Sequence, residues 1–117
     1  MALISYYVYK RQLKLKKINM YVICFTYMLN PSICIPKVEG TVNKSFIYKV
    51  FDRYNFGKIK KIDLIKTNNY KRAFIHYSYW HDNNNANYAK DLILSGEDIK
   101  LIYSMPWYWI CKLSIHS

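Results

Sequence analysis

The 117-residue sequence predicts an α+β fold in which two helices cover one face of a four-stranded antiparallel sheet. The first observation behind this prediction is the two-residue alternation of residues 70–77, which is typical of a half-buried strand. The second is the helical spacing of apolar residues after Asn43. The third is the order of the predicted elements: strand, helix, two strands, helix, strand.

Composition and charge favour one small basic domain. Hydrophobic residues make up 52% of the chain and aromatic residues 18%, which supports a packed core and argues against disorder. The net charge is +11: residues 1–28 contribute +5, and the remainder, with thirteen basic and seven acidic residues, contributes +6. A positive field favours nucleic acid first and an anionic membrane surface second. The alternative explanation of the positive charge is a solvated surface without a binding role, in a protein from a lysine-rich proteome.

Residues 1–28 form a basic and aromatic extension whose role the sequence leaves open. Its apolar stretch, about ten residues from Met20, is too short for a membrane span, which needs about 20, so no span is expected. The order of its apolar and basic segments does not fit a secretory signal. Three interpretations remain: a basic arm that contacts nucleic acid or membrane, an additional packed element, or a spurious extension with translation starting at Met20 or Met28.

The first strand and first helix follow from Pro31 onward. Ile33 and Ile35 alternate with Cys34 in a short strand that is predicted to end at Pro36. A helix is predicted with Asn43 as its N-cap, because the following apolar residues fall on one helical stripe, namely Ile47, Val50, Phe51 and Tyr54. Gly57 is predicted to end this helix.

A hairpin is predicted next. Ile59, Ile62 and Leu64 indicate a second strand with Lys61, Asp63 and Ile65 facing out, and Thr-Asn-Asn at 67–69 indicates a turn. The third strand runs from Tyr70 to Trp80. Within it one face is predicted to enter the core (Ala73, Ile75, Tyr77) and the other to remain open (Arg72, Phe74, His76).

The last third of the chain predicts one helix and one strand. The polar residues 81–85 supply N-cap candidates for a helix at 86–95, which Gly96 ends. Residues 99–103 form a short strand-like piece, and Met105-Pro106 turns the chain into a last strand at 107–113. In that strand Trp109, Cys111 and Leu113 are predicted to face inward, which leaves Tyr108, Ile110 and Lys112 on the open face.

This βαββαβ order is that of the split βαβ or ferredoxin-like arrangement, in which both helices pack on one face of the sheet. The other sheet face is left bare. A bare face that carries Phe74 and Tyr108 in so small a protein requires an explanation.

The strand at 70–77, Tyr-Lys-Arg-Ala-Phe-Ile-His-Tyr, resembles the ribonucleoprotein octamer of the RNA-recognition-motif (RRM) family. The residues that fit that pattern, with Ile in place of Val, are Ala73, Phe74, Ile75 and Tyr77. Those that depart from it are Tyr70, Lys71 and Arg72. The resemblance extends from about Pro31 to Ser114 and implies nucleic-acid binding on the open sheet.

A narrower resemblance is to the short RRM-like proteins encoded by large DNA viruses of eukaryotes. It rests on a series of short matches: Cys34-Ile35-Pro36, Val50-Phe51, Phe74-Ile75-His76, Trp80, Asp82-Asn83, Gly96-Glu97 and Pro106-Trp107-Tyr108-Trp109. It implies a fold and a binding class but no particular RNA. A viral source would place the protein in the host cytoplasm or nucleus, or in the virion, and three unpaired cysteines favour such a reducing intracellular setting.

Departures from the family pattern imply weak binding. The family usually has stacking aromatics where this sequence has Cys34 and Arg72, which leaves Phe74 as the one principal stacking residue. Stacking contributes about 1–3 kcal/mol per base, so losing two platforms weakens affinity about a hundredfold or more. The planar guanidinium of Arg72 can stack on a base or pair with a phosphate, which would recover part of the lost affinity.

The predicted nucleic-acid contacts are therefore stacking residues and a basic track: Phe74, Tyr70, Tyr108, His76, Cys34, Arg72, Lys71, Lys61 and Lys112. The alternative for the same sheet face is a protein-protein interaction surface, to which Ile65 and Ile110 would contribute. No nucleophile-base motif, phosphate loop or CxxC pair appears, so we expect no enzyme activity, no cofactor and no metal. The expected partner is single-stranded RNA or DNA, with another protein as the second candidate.

Overall fold

The computed structural model describes residues 30–114, so the predictions for residues 1–28 lie outside the described residues. The elements in chain order are β1 (Ser32–Glu39), α1 (Lys44–Tyr54), β2 (Gly57–Lys66), β3 (Tyr70–Trp80), α2 (Asn84–Leu94), β4 (Ile99–Ser104) and β5 (Trp107–Ser114). The predicted α+β class, with an antiparallel sheet and two helices, is confirmed.

The prediction of four strands in βαββαβ order is wrong. The sheet has five antiparallel strands in the spatial order β2-β3-β1-β5-β4. The additional strand is the strand-like piece at 99–103, which pairs with β5 across the turn at Met105-Pro106. This piece forms a strand because its alternate residues pack against the core. They are Ile99, Leu101 and Tyr103, and Leu101 is only 1% exposed.

Both helices pack on one face of the sheet. The buried residues of the helices and of that sheet face form a single cluster, to which α1 contributes Ile47, Val50 and Phe51, and α2 contributes Ala86, Ala89 and Ile93. The strand residues predicted to face inward, including Ala73, Ile75, Trp109 and Cys111, belong to the same cluster. The opposite face of the sheet is therefore the one that the helices leave uncovered.

The helix boundaries are set by asparagines as well as glycine. Asn43 is the N-cap of α1, as predicted, and its side chain accepts from the Phe46 N–H at 2.9 Å. Gly57 does not end α1. The C-cap is Asn55 in the left-handed conformation (φ 57°), which asparagine tolerates better than most residues, and Gly57 instead begins β2.

The second helix begins two residues earlier than predicted, after Asn83. The Asn83 side chain accepts from the Ala86 N–H at 2.8 Å, so one of the predicted cap candidates fills this role. The predicted stop at Gly96 is confirmed: this residue has φ of 88°, and its N–H donates to the Ile93 carbonyl.

Strand β1 does not end at Pro36 but continues to Glu39. Its register against β3 shifts between Ile35 and Val38, which is the signature of a bulge. Against β5 its pairing stops earlier, at Cys34 opposite Lys112. Proline has no N–H to continue the ladder, so Pro36 accounts for the end of this pairing.

The C-terminal end of α1 is tied to the edge strand β4. The Tyr54 hydroxyl donates to the Ile102 carbonyl at 2.8 Å, and the Arg53 guanidinium donates to the Tyr103 carbonyl at 3.2 Å. These bonds hold α1 against β4, the strand that the sequence did not predict.

The start of β2 lies so close to the end of β3 that Gly57 is required there. A Cβ at position 57 would collide with the Tyr79 carbonyl oxygen and lie 2.8 Å from the Trp80 Cα, both of them backbone atoms. We expect Gly57→Ala to lower the free energy of unfolding by about 1–3 kcal/mol, as overpacking does. Urea denaturation of the full chain measures this.

Gly40→Ala is the matched control, because a Cβ at position 40 meets no atom within 4 Å. Its effect should stay within about 0.5 kcal/mol of wild type, as for an ordinary surface substitution. Equal stabilities of the two variants would contradict the close approach of β2 and β3 at Gly57.

Candidate nucleic-acid interface

Phe74 lies on the uncovered sheet face, on an interior strand. It is on β3, opposite Asp63 of β2 on one side and Cys34 of β1 on the other, and Cys34 is in turn opposite Lys112 of β5. These four side chains form a row across four strands. Phe74 is half-buried, so part of its ring remains accessible.

Arg72 lies over the Phe74 ring, with the guanidinium carbon 5.7 Å from the ring centroid. The two residues are two positions apart on one strand and so share a face, as the alternation predicted. A cation–π contact at an exposed site contributes about 0.5–1 kcal/mol. Arg72 itself is exposed, so its outer side is available to a ligand.

His76 is buried on this face, at 7% exposure, and both of its ring nitrogens are engaged. Nδ1 lies 2.8 Å from the Ser32 hydroxyl, and Nε2 lies 3.0 Å from Asp63 Oδ2. A carboxylate only accepts, so Nε2 carries a hydrogen, and in the neutral ring Nδ1 accepts from Ser32. The imidazole thus ties β1, β3 and β2 together and is not an exposed contact surface.

The predicted basic track is only partly assembled. Lys61 lies 3.8 Å from Asp63, and Lys112 makes hydrogen bonds of 2.9 and 3.1 Å to the carboxylate of Asp98. Lys71 belongs to the other side of β3, where its ammonium donates to the Val42 carbonyl at 2.9 Å. Arg72 and the two paired lysines are therefore the members of the track that share the Phe74 face.

A groove lies at one end of the same face, between Tyr70 of β3 and Tyr108 of β5. Its volume is about 680 Å³, and β1 residues from Pro36 to Gly40 line it between the two tyrosines. Sequence reasoning identified the two tyrosines but missed the lysines over their rings: Lys37 is 5.9 Å from the Tyr70 centroid and Lys100 is 5.3 Å from the Tyr108 centroid. Only the cross-strand pairing reveals that Lys100 neighbours Tyr108.

Glu39 lies at the end of this groove and is held as an ionised acceptor. The Tyr103 hydroxyl donates to one carboxylate oxygen at 2.9 Å and the Trp109 indole N–H to the other at 3.2 Å. Burial alone would raise the pKa of Glu39, but these bonds, its own backbone N–H and the charge of Lys37 together lower it. Burial and the bond to this carboxylate raise the pKa of Tyr103, which keeps that hydroxyl protonated.

The two cysteines within residues 30–114 are free and buried. Cys111, predicted to face inward, is 0% exposed, and Cys34, predicted as a nucleic-acid contact, is 7% exposed. Burial raises the pKa of Cys111, and the neighbouring Cys34 raises it further. The low exposure of Cys34 means that it offers a ligand little surface in the position next to Phe74.

Residues 30–114 contain no group of three or more His, Cys, Asp or Glu side chains placed to hold a metal ion. Within that same range, no helix has the length and apolar character to cross a membrane. Comparison of the chain with protein-family models, with curated proteins and with solved structures finds no match.

The hydrogen bond between His76 of β3 and Asp63 of β2 should appear as an energetic coupling between these two residues. A double-mutant cycle of His76→Ala and Asp63→Ala, measured by urea denaturation, is expected to give a coupling of about 0.5–3 kcal/mol. The reason is that the imidazole is buried and bonds both partners at hydrogen-bond distance.

The exposed pair of Lys112 and Asp98 supplies the control cycle, since both side chains are about half exposed. Surface pairs of this kind couple by about 0.2–1 kcal/mol. A coupling at His76 and Asp63 no larger than that of the control pair would show that the buried imidazole does not tie the strands.

Glu39 should make stability depend on acid pH. Its lowered pKa means that the ionised carboxylate stabilises the fold at neutral pH, and this contribution is lost as pH falls through the folded-state pKa. We expect Glu39→Gln to be less stable than wild type at neutral pH, with the difference shrinking in acid. Thermal unfolding across a pH series measures the gap.

Asp52→Asn, which removes a carboxylate from an exposed position on α1, is the control for this series. It measures the effect of removing one exposed carboxylate over the same pH series. A gap between wild type and Glu39→Gln that stays constant from neutral to acid pH would exclude the role assigned to the Glu39 charge.

Proposed function

We propose that the protein is a non-catalytic nucleic-acid-binding module that binds single-stranded RNA or DNA on its uncovered sheet face. The observation that carries this proposal is Phe74, a partly accessible ring on an interior strand of that face with the Arg72 guanidinium 5.7 Å from its centroid. Single strands are bound by stacking of bases on aromatic rings next to basic groups.

The topology supports the same proposal. Without β4, the order of elements would be strand, helix, two strands, helix, strand, and the sheet order would be β2-β3-β1-β5. We therefore infer an RRM-like, ferredoxin-like arrangement with β4 inserted as an additional edge strand. In this arrangement the strand that resembles the octamer, β3, lies inside the sheet.

A base that stacks on Phe74 shares the site with Arg72. The guanidinium now lies over the ring and must move to admit a base, after which it can cover the base as an outer layer or pair with a phosphate. Cys34, on the neighbouring strand, is only 7% exposed and supplies no second platform. One stacked base contributes about 1–3 kcal/mol, so we expect weak binding.

The charges on this face favour salt-sensitive binding. Lys61 and Lys112 each have an acidic neighbour, and a phosphate must compete with Asp63 and Asp98 for them. Residues 30–114 nevertheless carry thirteen basic and seven acidic side chains, a net charge of +6 that attracts a polyanion. Each phosphate neutralised on a single strand adds about 0.7 to the steepness of the log–log salt dependence.

The contacts of His76 with Ser32 and Asp63 bring together a hydroxyl, an imidazole and a carboxylate, the side-chain types of a hydrolase triad. The imidazole is only 7% exposed, and none of the three residues lines the groove between Tyr70 and Tyr108. Nucleophilic catalysis also needs donors aimed at a developing oxyanion. We therefore assign this set a structural role that ties three strands.

A protein-interaction surface is the second candidate for the same face. It is favoured by Ile65, which is 50% exposed and lies opposite Arg72 on β2. The rows that contain Phe74 and Arg72 carry charged side chains as well as apolar ones, and this mixture fits a nucleic acid better.

Fluorescence anisotropy of the full chain with labelled single-stranded RNA and DNA, over a salt series, tests the proposal. Phe74→Ala removes the stacking ring and should weaken binding by about 5- to 150-fold, the equivalent of 1–3 kcal/mol. Arg72→Glu should weaken binding at low salt and flatten the salt dependence by about 0.7 for each phosphate that the variant no longer neutralises.

Tyr48→Ala and Lys49→Glu are matched controls, since both residues are exposed on α1, which packs against the opposite face of the sheet. Both should bind like wild type except for the small effect of net charge. If Phe74→Ala and Arg72→Glu remain folded and bind as tightly as these controls, the uncovered sheet face is not the nucleic-acid surface.

A further inference from the structure

The groove between Tyr70 and Tyr108 arises where two neighbouring strands stop pairing. Strands β1 and β5 pair only from Ser32 to Cys34, and beyond that point β1 pairs with β3 while β5 pairs with β4. Pro36 has no N–H, and the bulge that follows it alters the path of β1. The facing backbone edges of β1 and β5 are thus not paired with each other, and the groove lies between them.

The accessible walls of the groove are aromatic and cationic. Tyr108 is 46% exposed and Tyr70 is partly exposed, whereas Val38 and Trp109 also line the groove but are almost fully buried. Lys37 lies over the ring of Tyr70, and Lys112 lines the groove as well. A flat apolar ligand with negative charge matches these walls.

The groove and the row that contains Phe74 share Lys112. This residue lines the groove and is opposite Cys34 within that row, whereas Glu39 lies farther along β1, where its pairing with β3 ends. The groove is therefore continuous with the surface proposed to bind the strand. Each cation of the groove has a carboxylate beside it, because Lys112 donates to Asp98 and Lys37 lies close enough to Glu39 to lower its pKa.

We infer that this groove holds one nucleotide of the bound single strand. Its base lies against Tyr70 and Tyr108, and the edge of the base meets the facing backbone edges of β1 and β5, which are not paired with each other there. The inference rests on the proposed function and adds base preference to it, because hydrogen bonds to base edges distinguish bases whereas stacking does not. The volume of about 680 Å³ is within the range of about 300–1,000 Å³ that is usual for small-ligand sites.

The test compares dissociation constants of the full chain for short labelled homopolymers of A, C and U, measured by anisotropy at low salt. Wild type should prefer one base. Tyr70→Ala and Tyr108→Ala should weaken binding of the preferred homopolymer by about 5- to 150-fold and bring the ratio between homopolymers towards one. Tyr70→Phe and Tyr108→Phe keep the rings and should preserve both affinity and ratio.

Two further variants and a control keep the test decisive. Lys37→Glu reverses the charge of an exposed groove residue without removing a buried side chain, and it should weaken binding of the preferred homopolymer even if a tyrosine variant is unstable. Phe74→Ala should weaken all homopolymers by a similar factor and leave their ratio unchanged. Tyr48→Ala on α1 is the control for removal of an exposed tyrosine and should match wild type.

The outcomes separate the two claims. If Phe74→Ala weakens binding while the folded groove variants keep the wild-type ratio, the groove inference is overturned and the proposed function stands. A wild-type chain that binds all homopolymers equally also overturns the groove inference alone. If the wild-type chain binds no homopolymer at low salt, both claims are overturned.

Discussion

Strand β3 is hydrogen-bonded along both edges, to β2 and to β1, and this double pairing fixes which of its side chains reach each face of the sheet. Ala73 and Ile75 are committed to the core, and Phe74 is committed to the uncovered face. A slip of one residue would exchange the two sets and bury Arg72 in apolar surroundings. This register therefore determines the positions of Phe74 on the uncovered face, of His76 beside Ser32 and Asp63, and of Tyr70 at the groove.

Local patterns predicted most elements, because helices and strands have periods that a sequence displays directly. The alternation in 70–80 and the apolar stripe after Asn43 both correspond to real elements with nearly the predicted bounds. The additional strand β4 was missed because this six-residue segment becomes a strand only through its pairing with β5, and that pairing is a tertiary property. The end of α1 was misplaced because Asn55 takes a left-handed conformation more often assigned to glycine.

The candidate site was predictable only where it depends on one strand. Arg72 and Phe74 share a face by alternation alone, and the same alternation places Lys71 on the opposite side. The contacts of His76 join residues that lie 44 and 13 positions away, so they depend on the registers of three strands. The groove likewise exists because one pair of strands separates after Cys34, which no local pattern specifies.

The bonds from α1 to β4 have a consequence for how copies of this protein behave at high concentration. An uncovered edge strand is a template on which another chain can add a strand, the first step of sheet-mediated aggregation. In β4 the carbonyls of Ile102 and Tyr103 already accept hydrogen bonds from Tyr54 and Arg53. An incoming strand that adds to this part of β4 would meet the end of α1, so the helix shields this edge of the sheet.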